Sequence, residues 1–508
     1  MCNNTAAIDG RKNVGRRPLC ARGRARHTAR CDADRLRIGY LVISCCLVRN
    51  HRGHDIVILT MARWGILSKC SGYNTTLLRG EIVLCRVDLH SIYTERREYS
   101  KMRFVLVSTH VDQTTGYSKV VSNLLAQAAT LTPKVKTFHF GFQRHPERKS
   151  MRKVPEGVVA YDAAAAEDPK EEGFGFNKIH EYIEMVGPDV VMIYNDPMII
   201  ARFIQAMKYK KGETPYKLWL YVDQVYKGIA QPLMDELNKA ADKVYCFTDS
   251  WAKTFTEYGG SLEPGIIEHA IDSTIFSRLP TASRIALRKN VGLPTDSIVF
   301  LNANRNSQRK RQDLTIMGFV ELLRRHPDKP LWLLMVTAID PQKGAYYDIQ
   351  RIFHAELLRA KLDPAVYGKR MALVDTAPPN TLNDDGINQI YNMSDIGVNT
   401  SDGEGFGLCQ LEHLYTGAPQ IVTDIGSYRS FLPSTVATYI RPGPLVYQAA
   451  GMPLGLSAPS FNPDDVADAM EVTLSKYVTM RTAIEDVKFK TWKEVCSSWI
   501  ANLTQASI

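Results

Sequence analysis

The sequence predicts an α/β protein made of two doubly wound parallel-sheet units in tandem, with a cleft between them. Three observations carry this prediction. Short apolar runs of strand length alternate with amphipathic helical stretches from residue 102 onward. The alternation restarts near residue 298, after a junction at 270–295. The chain has 508 residues, more than one core usually fills, so two or three domains are expected.

The first unit opens with an apolar strand at 104–108. A polar loop carrying Gly116 follows, then a helix marked by Val120, Val121, Leu124 and Leu125. Further strands are predicted at 135–140, 190–194, 218–222 and 243–248. In the second unit, strands at 298–301, 331–336, 371–374, 396–399 and 420–423 alternate with helices at 313–325, 346–360, 385–392 and 407–416. Trp492, Val495, Trp499 and Leu503 predict a final amphipathic helix. The expected domains are a first unit at 102–275, a second at 276–480, and a C-terminal helix at 481–508 that can cross back to the first. Residues 1–101 are expected to be a basic, cysteine-containing extension, disordered or outside the fold.

Charge sets that extension apart. Residues 1–100 hold 18 Lys and Arg against 8 Asp and Glu, the whole of the net +10, while the remainder is balanced at 45 of each. The body therefore gives no reason to expect a nucleic-acid groove. Seven of the ten cysteines precede residue 100 without zinc-type C-x2-C pairs, and the three in the body make no disulfide framework, which points to a reducing compartment. No apolar run reaches the ~18 residues a spanning helix needs. The expectation is a soluble, cytoplasmic protein, or one peripheral to a membrane.

The strongest motif runs from Ser401 to Glu412, reading S-D-G-E-G-F-G-L-C-Q-L-E. Gly405, Phe406, Gly407 and Leu408 lie where a strand turns into a helix, so backbone N–H groups can approach an anion. Glu404 stands before that helix and Glu412 lies one turn inside it; both carboxylates can accept hydrogen bonds from hydroxyls. A second motif, residues 302–311, leaves the opening strand of the second unit, and its Arg305 and Lys310 can reach a diphosphate. Arg309 and Arg311 are expected to be surface charges. In the first unit, Gly116 and Tyr117 follow the first strand, while Asn195, Asp196 and Asp223 stand at carboxyl ends of strands, where ligands bind in such folds. Capping is the competing role for each of those three.

These motifs resemble glycosyltransferase family 4, whose members have the GT-B fold, and in particular members encoded by large DNA viruses of algae. Glu404-Gly405-Phe406-Gly407 matches the family's E-G-F-G, Leu411-Glu412 its L-E, and Gly417-Ala418-Pro419 its G-x-P; His413-Leu414 replaces the usual Ala-Met. Residues 265–276, with His269, resemble its interdomain motif. The resemblance implies that Glu404 binds the donor sugar, Glu412 the nucleoside ribose, and Arg305 with Lys310 the leaving diphosphate. Gly116 would then lie near the diphosphate. Tyr117, Asn195, Asp196, Asp223 and His269 become acceptor-side candidates.

The implied function is sugar transfer, with retained configuration, from a nucleotide diphosphate sugar, GDP-mannose or another GDP-sugar favoured, to a glycan or other hydroxyl acceptor. No metal and no cofactor are expected, since two cations and a helix dipole can stabilise the leaving group. The body shows no convincing D-x-D. The alternatives are a nucleotide-sugar epimerase of the same fold, or a non-catalytic nucleotide- or carbohydrate-binding subunit.

Overall fold

The computed structural model describes residues 102–506 throughout and, before them, the backbone of four strands between residues 40 and 88. These are β1 (Tyr40–Arg49), β2 (Asp55–Arg63), β3 (Thr75–Leu77) and β4 (Ile82–Asp88), an antiparallel sheet in the order β1-β2-β4-β3. They belong to a unit separate from the rest of the chain. The sequence pattern predicted no strands there. The Arg-rich run at 16–37 and its cysteines lie outside the described residues.

The body holds two parallel sheets. The first contains β5 (Met102–Thr109), β6 (Val135–Phe142), β7 (Val158–Asp162), β8 (Val190–Asn195), β9 (Lys217–Val222), β10 (Lys243–Cys246) and β11 (Gly265–Ile266). Their spatial order is β11-β10-β9-β8-β5-β6-β7. The second contains β12 (Ile298–Asn302), β13 (Leu331–Thr337), β14 (Met371–Asp375), β15 (Ile396–Asn399), β16 (Gln420–Thr423) and β17 (Ala437–Ile440), in the order β14-β13-β12-β15-β16-β17. The central strands are buried on both faces, as a helix-covered parallel sheet requires.

Each sheet reverses its winding once, between β5 and β8 in the first and between β12 and β15 in the second. Such switch points open a crevice beyond the carboxyl ends of the strands. The ends of β5, β8, β12 and β15 and the loops that follow them therefore carry residues 110–115, 195–196, 303–311 and 400–407 to the carboxyl edges of the two sheets.

Four helices frame it. Helix α1 (Gly116–Ala129) starts at a capping box between Thr115 and Ser118 and buries Val120, Val121, Leu124 and Leu125. Helices α2 (Asp384–Met393) and α3 (Leu408–Tyr415) lie in the second lobe. Helix α4 (Trp492–Gln505), itself started by a capping box of Thr491 and Glu494, packs on α1 of the first lobe. Its Trp499 is fully buried and meets Phe104 edge-on at 5.8 Å between centroids. Among the described residues no helix is long and apolar enough to cross a membrane.

Candidate functional site

The loop from β15 to α3 is shaped by two glycines. Gly407 precedes the helix at φ 103°, a left-handed conformation that favours glycine, and a Cβ there would lie 2.3 Å from the Tyr428 ring. Gly405 is pinned against the first lobe. Its carbonyl accepts a 2.7 Å hydrogen bond from Trp251 Nε1, and a Cβ on it would lie 2.1 Å from Asp223 Oδ1.

Glu404, between these constraints, is buried. Lys310 Nζ donates to its Oε1, Arg309 pairs with Oε2 at 3.3 Å, and Asn399 Nδ2 donates to Oε1 at 3.1 Å. Burial alone would raise its pKa, but the Lys310 and Arg309 cations outweigh burial and hold it at about 2. Glu404 is therefore ionised at neutral pH. Lys310 is itself pushed below its ordinary value by burial, with Glu404 opposing the shift.

The asparagines of the 302–311 motif build the floor. Asn302 Nδ2 donates to Thr315 Oγ1 at 2.9 Å, and Asn304 Nδ2 to Asn302 Oδ1 at 3.0 Å. Thr315 Oγ1 pairs with Thr400 Oγ1 at 2.7 Å. These buried, mutually satisfied amides hold the β12 and β15 loops in one register. The chain then makes a single 3-10 turn, Gln308–Lys310, and leaves it through Arg311 at φ 44°.

That turn corrects one expectation. Arg309, expected at the surface, points inward, donating to the Gly403 carbonyl as well as pairing with Glu404. Arg311 pairs with Asp313 at 2.9 Å instead. Arg305 is exposed and has no hydrogen bond or ion pair among the described residues.

On the first-lobe side, Tyr117 OH donates to Asp223 Oδ2 at 2.5 Å, while Asp223 Oδ1 is buried without a partner. Burial raises the Asp223 carboxyl to about 6, against the opposing effect of Tyr117 and Arg309. Gly116 is the first residue of α1, beside Tyr117. Asp196 caps the helix Pro197–Ala206, accepting from the backbone of Met198 and Ile199, and Asn195 Oδ1 accepts from the Asp196 backbone N–H at 2.9 Å. His269 sits away from these groups, among Phe247 at 4.5 Å, Phe406 at 4.7 Å and Trp492 at 6.1 Å. Both its ring nitrogens are buried without partners, and burial holds its pKa at about 3, so it packs as a neutral ring.

Glu412 has partners the sequence did not suggest. Lys119 of the first lobe donates to both its oxygens, at 2.8 and 2.9 Å, and Tyr391 OH donates to Oε2 at 2.9 Å. Burial and, to a lesser extent, the Asp384 carboxylate press its pKa upward against the Lys119 charge and the Tyr391 hydrogen bond. Arg152, also of the first lobe, makes a bidentate pair with Asp384 of the second at 2.7 and 2.8 Å. No group of three or more potential ligands placed to hold a metal ion occurs among the described residues.

No protein-family model matches the chain. A curated protein described as D-inositol 3-phosphate glycosyltransferase 2, from Catenulispora acidiphila, is 24% identical over 277 residues, or 52% of this chain. The match spans 61% of that relative's own length. Among solved structures, sucrose-phosphate synthase from Thermosynechococcus elongatus superposes with a TM-score of 0.58 at 15% identity, covering 80% of this chain and 98% of that one. The HepE protein of Anabaena, solved in complex with UDP and glucose, gives a TM-score of 0.52 at 14% identity, covering 80% and 97%. The two lobes, their switch points and the crossing C-terminal helix are those of the GT-B fold.

Proposed function

We propose that this chain is a glycosyltransferase that moves a sugar from a nucleotide diphosphate sugar to a hydroxyl acceptor with retention of configuration. The observation that carries the proposal is the buried, ionised Glu404 held by Lys310 and Arg309, with Arg305 free beside them and Asp223 across the cleft.

In this reading Glu404 accepts a hydrogen bond from a donor-sugar hydroxyl at its remaining acceptor position. Lys310, Arg305 and Arg309 offset the charge that collects on the diphosphate as the glycosidic bond breaks, a preorganised electrostatic contribution. The N-terminus of α3 adds a smaller one. Glu412 serves the ribose. Asp223, oriented by Tyr117, receives a hydrogen bond from the attacking acceptor hydroxyl in the closed cleft. Departure and attack on one face of the sugar retain configuration without a protein nucleophile, unlike the paired carboxylates of glycosidases.

The sequence resemblance favours a GDP-sugar as donor. The HepE structure, solved with UDP and glucose, makes a UDP-sugar the competing choice. Thermal melts with GDP, UDP and ADP decide between bases, because a bound ligand raises apparent stability. The activity test is Glu404→Ala and Lys310→Ala in purified protein with a labelled donor. Both are expected to abolish transfer, and near-normal transfer by both overturns the proposal. Donor conversion without acceptor would identify an epimerase instead.

A further inference from the structure

The Glu412 carboxylate is already occupied. A carboxylate offers about four acceptor positions. Lys119 takes one on each oxygen and Tyr391 takes a second on Oε2. A ribose diol brings two hydroxyl donors, so it cannot bind Glu412 through both while all three bonds persist.

The occupant comes from the other lobe. Lys119 lies on α1, with its ammonium 4.7 Å from the Phe276 ring centroid and 3.5 Å from Asp384. A cavity of about 170 Å³ adjoins it, lined by Lys119, Arg152, Phe276, Asp384, Leu408 and Glu412, with room for a single small ring. The pair of cations from the first lobe and the pair of carboxylates from the second are balanced and mostly buried.

We propose that Lys119 competes with the donor's ribose for Glu412, so that nucleotide binding breaks the Lys119–Glu412 ion pair between the lobes, and that this competition lowers the preference for ribose over a deoxygenated sugar. This rests on the proposed role of Glu412 and adds a residue that tunes it. The Arg152–Asp384 pair stays intact and keeps the lobes registered. The break is localised to α1, the helix that also carries Tyr117 to Asp223.

The experiment is calorimetric titration of the full chain with GDP and UDP and with their 2′,3′-dideoxy forms, in wild type and Lys119→Met. The methionine keeps an apolar stem over Phe276 and removes the competing charge. Loss of a cation also weakens diphosphate binding, but equally for both sugars, so the quantity read is the ratio of dideoxy to ribose Kd. That ratio is expected to rise about tenfold in Lys119→Met, the worth of a hydrogen bond to a charged group. An unchanged or smaller ratio overturns the competition. Equal weakening of both ligands instead identifies Lys119 as a phosphate contact or a structural residue. If Lys119→Met does not fold, Lys119→Gln serves the same comparison. Failure of the wild type to bind any of the four nucleotides overturns the glycosyltransferase reading itself, a result distinct from an unchanged ratio.

Discussion

Replacing Gly405 by alanine tests whether the two halves of the site meet as closely as the structure shows. The added methyl would lie 2.1 Å from Asp223 Oδ1, 2.9 Å from Phe247 Cε2 and 3.1 Å from Asp223 Cγ. The backbone at 405 is not left-handed, so alanine is permitted locally and the conflict lies entirely between the lobes. Asp223 cannot swing away cheaply, because Tyr117 holds its other oxygen at 2.5 Å. The loop cannot retreat cheaply either, because Trp251 holds the Gly405 carbonyl at 2.7 Å. Overpacking of this kind costs about 1–3 kcal/mol. Charged against the closed arrangement alone, that biases closure by about 5–150-fold. Gly405→Ala is therefore expected to cut transfer by that factor. Its affinity for nucleoside diphosphate should change about threefold or less, since the donor-holding groups Glu404, Lys310 and Arg305 stay in the second lobe. Steady-state transfer with a labelled donor, paired with calorimetric titration of the nucleotide, separates the two effects. Wild-type transfer by Gly405→Ala would show that the lobes do not close on Asp223 during turnover. Equal loss of transfer and of nucleotide affinity would place the damage in the donor pocket.

Three further outcomes follow from the same geometry. Arg309→Ala should lower transfer by about a hundredfold, the scale of losing one electrostatic stabiliser, whereas Arg311→Ala, paired only with Asp313, should stay near wild type in the same assay. Asp223 is raised from its ordinary value of 3.8 to about 6, so the folded chain binds more protons than the unfolded one between those values and stability should fall as pH rises through that window. Transfer that needs ionised Asp223 should rise through pH ~6 over its upper part, and Asp223→Asn should flatten both limbs in thermal melts and pH–rate profiles. Trp499→Ala should cost about 3–5 kcal/mol in denaturant titration, the usual loss for a buried tryptophan, because Trp499 anchors the crossing helix on Phe104.

The parts legible in the sequence were those whose cause is local. Strands such as 190–194 are apolar on both faces because helices cover both, and that composition is visible in one window. Gly407 was legible because its left-handed φ and contact with Tyr428 leave few other residues possible. Arg309 was not, because adjacent cations in a charge run look alike until a 3-10 turn and a left-handed Arg311 fix which ones point inward. Asp196 was legible only as one of two roles, and its bonds to the Met198 and Ile199 backbone account for it as a cap.

Lys119 shows where local pattern stops being informative. It occupies a polar position on an amphipathic helix, which in isolation describes a solvated side chain. Its partner Glu412 lies 293 residues away, and the parallel pair of Arg152 with Asp384 spans 232. Neither pair exists within a lobe; both arise only when the second lobe docks on the first. The same holds for Asp223, which burial raises to about 6 and whose Oδ1 lies against Gly405 of the other lobe. The proposed donor-holding groups Arg305, Lys310 and Glu404 sit within the second lobe and are written in two short local motifs, 302–311 and 401–412. The groups that join donor side to acceptor side are distributed between lobes, so their burial, charge state and partners are properties of the closed cleft. Substitutions at those interlobe positions should therefore alter coupling between nucleotide binding and transfer more than either step alone.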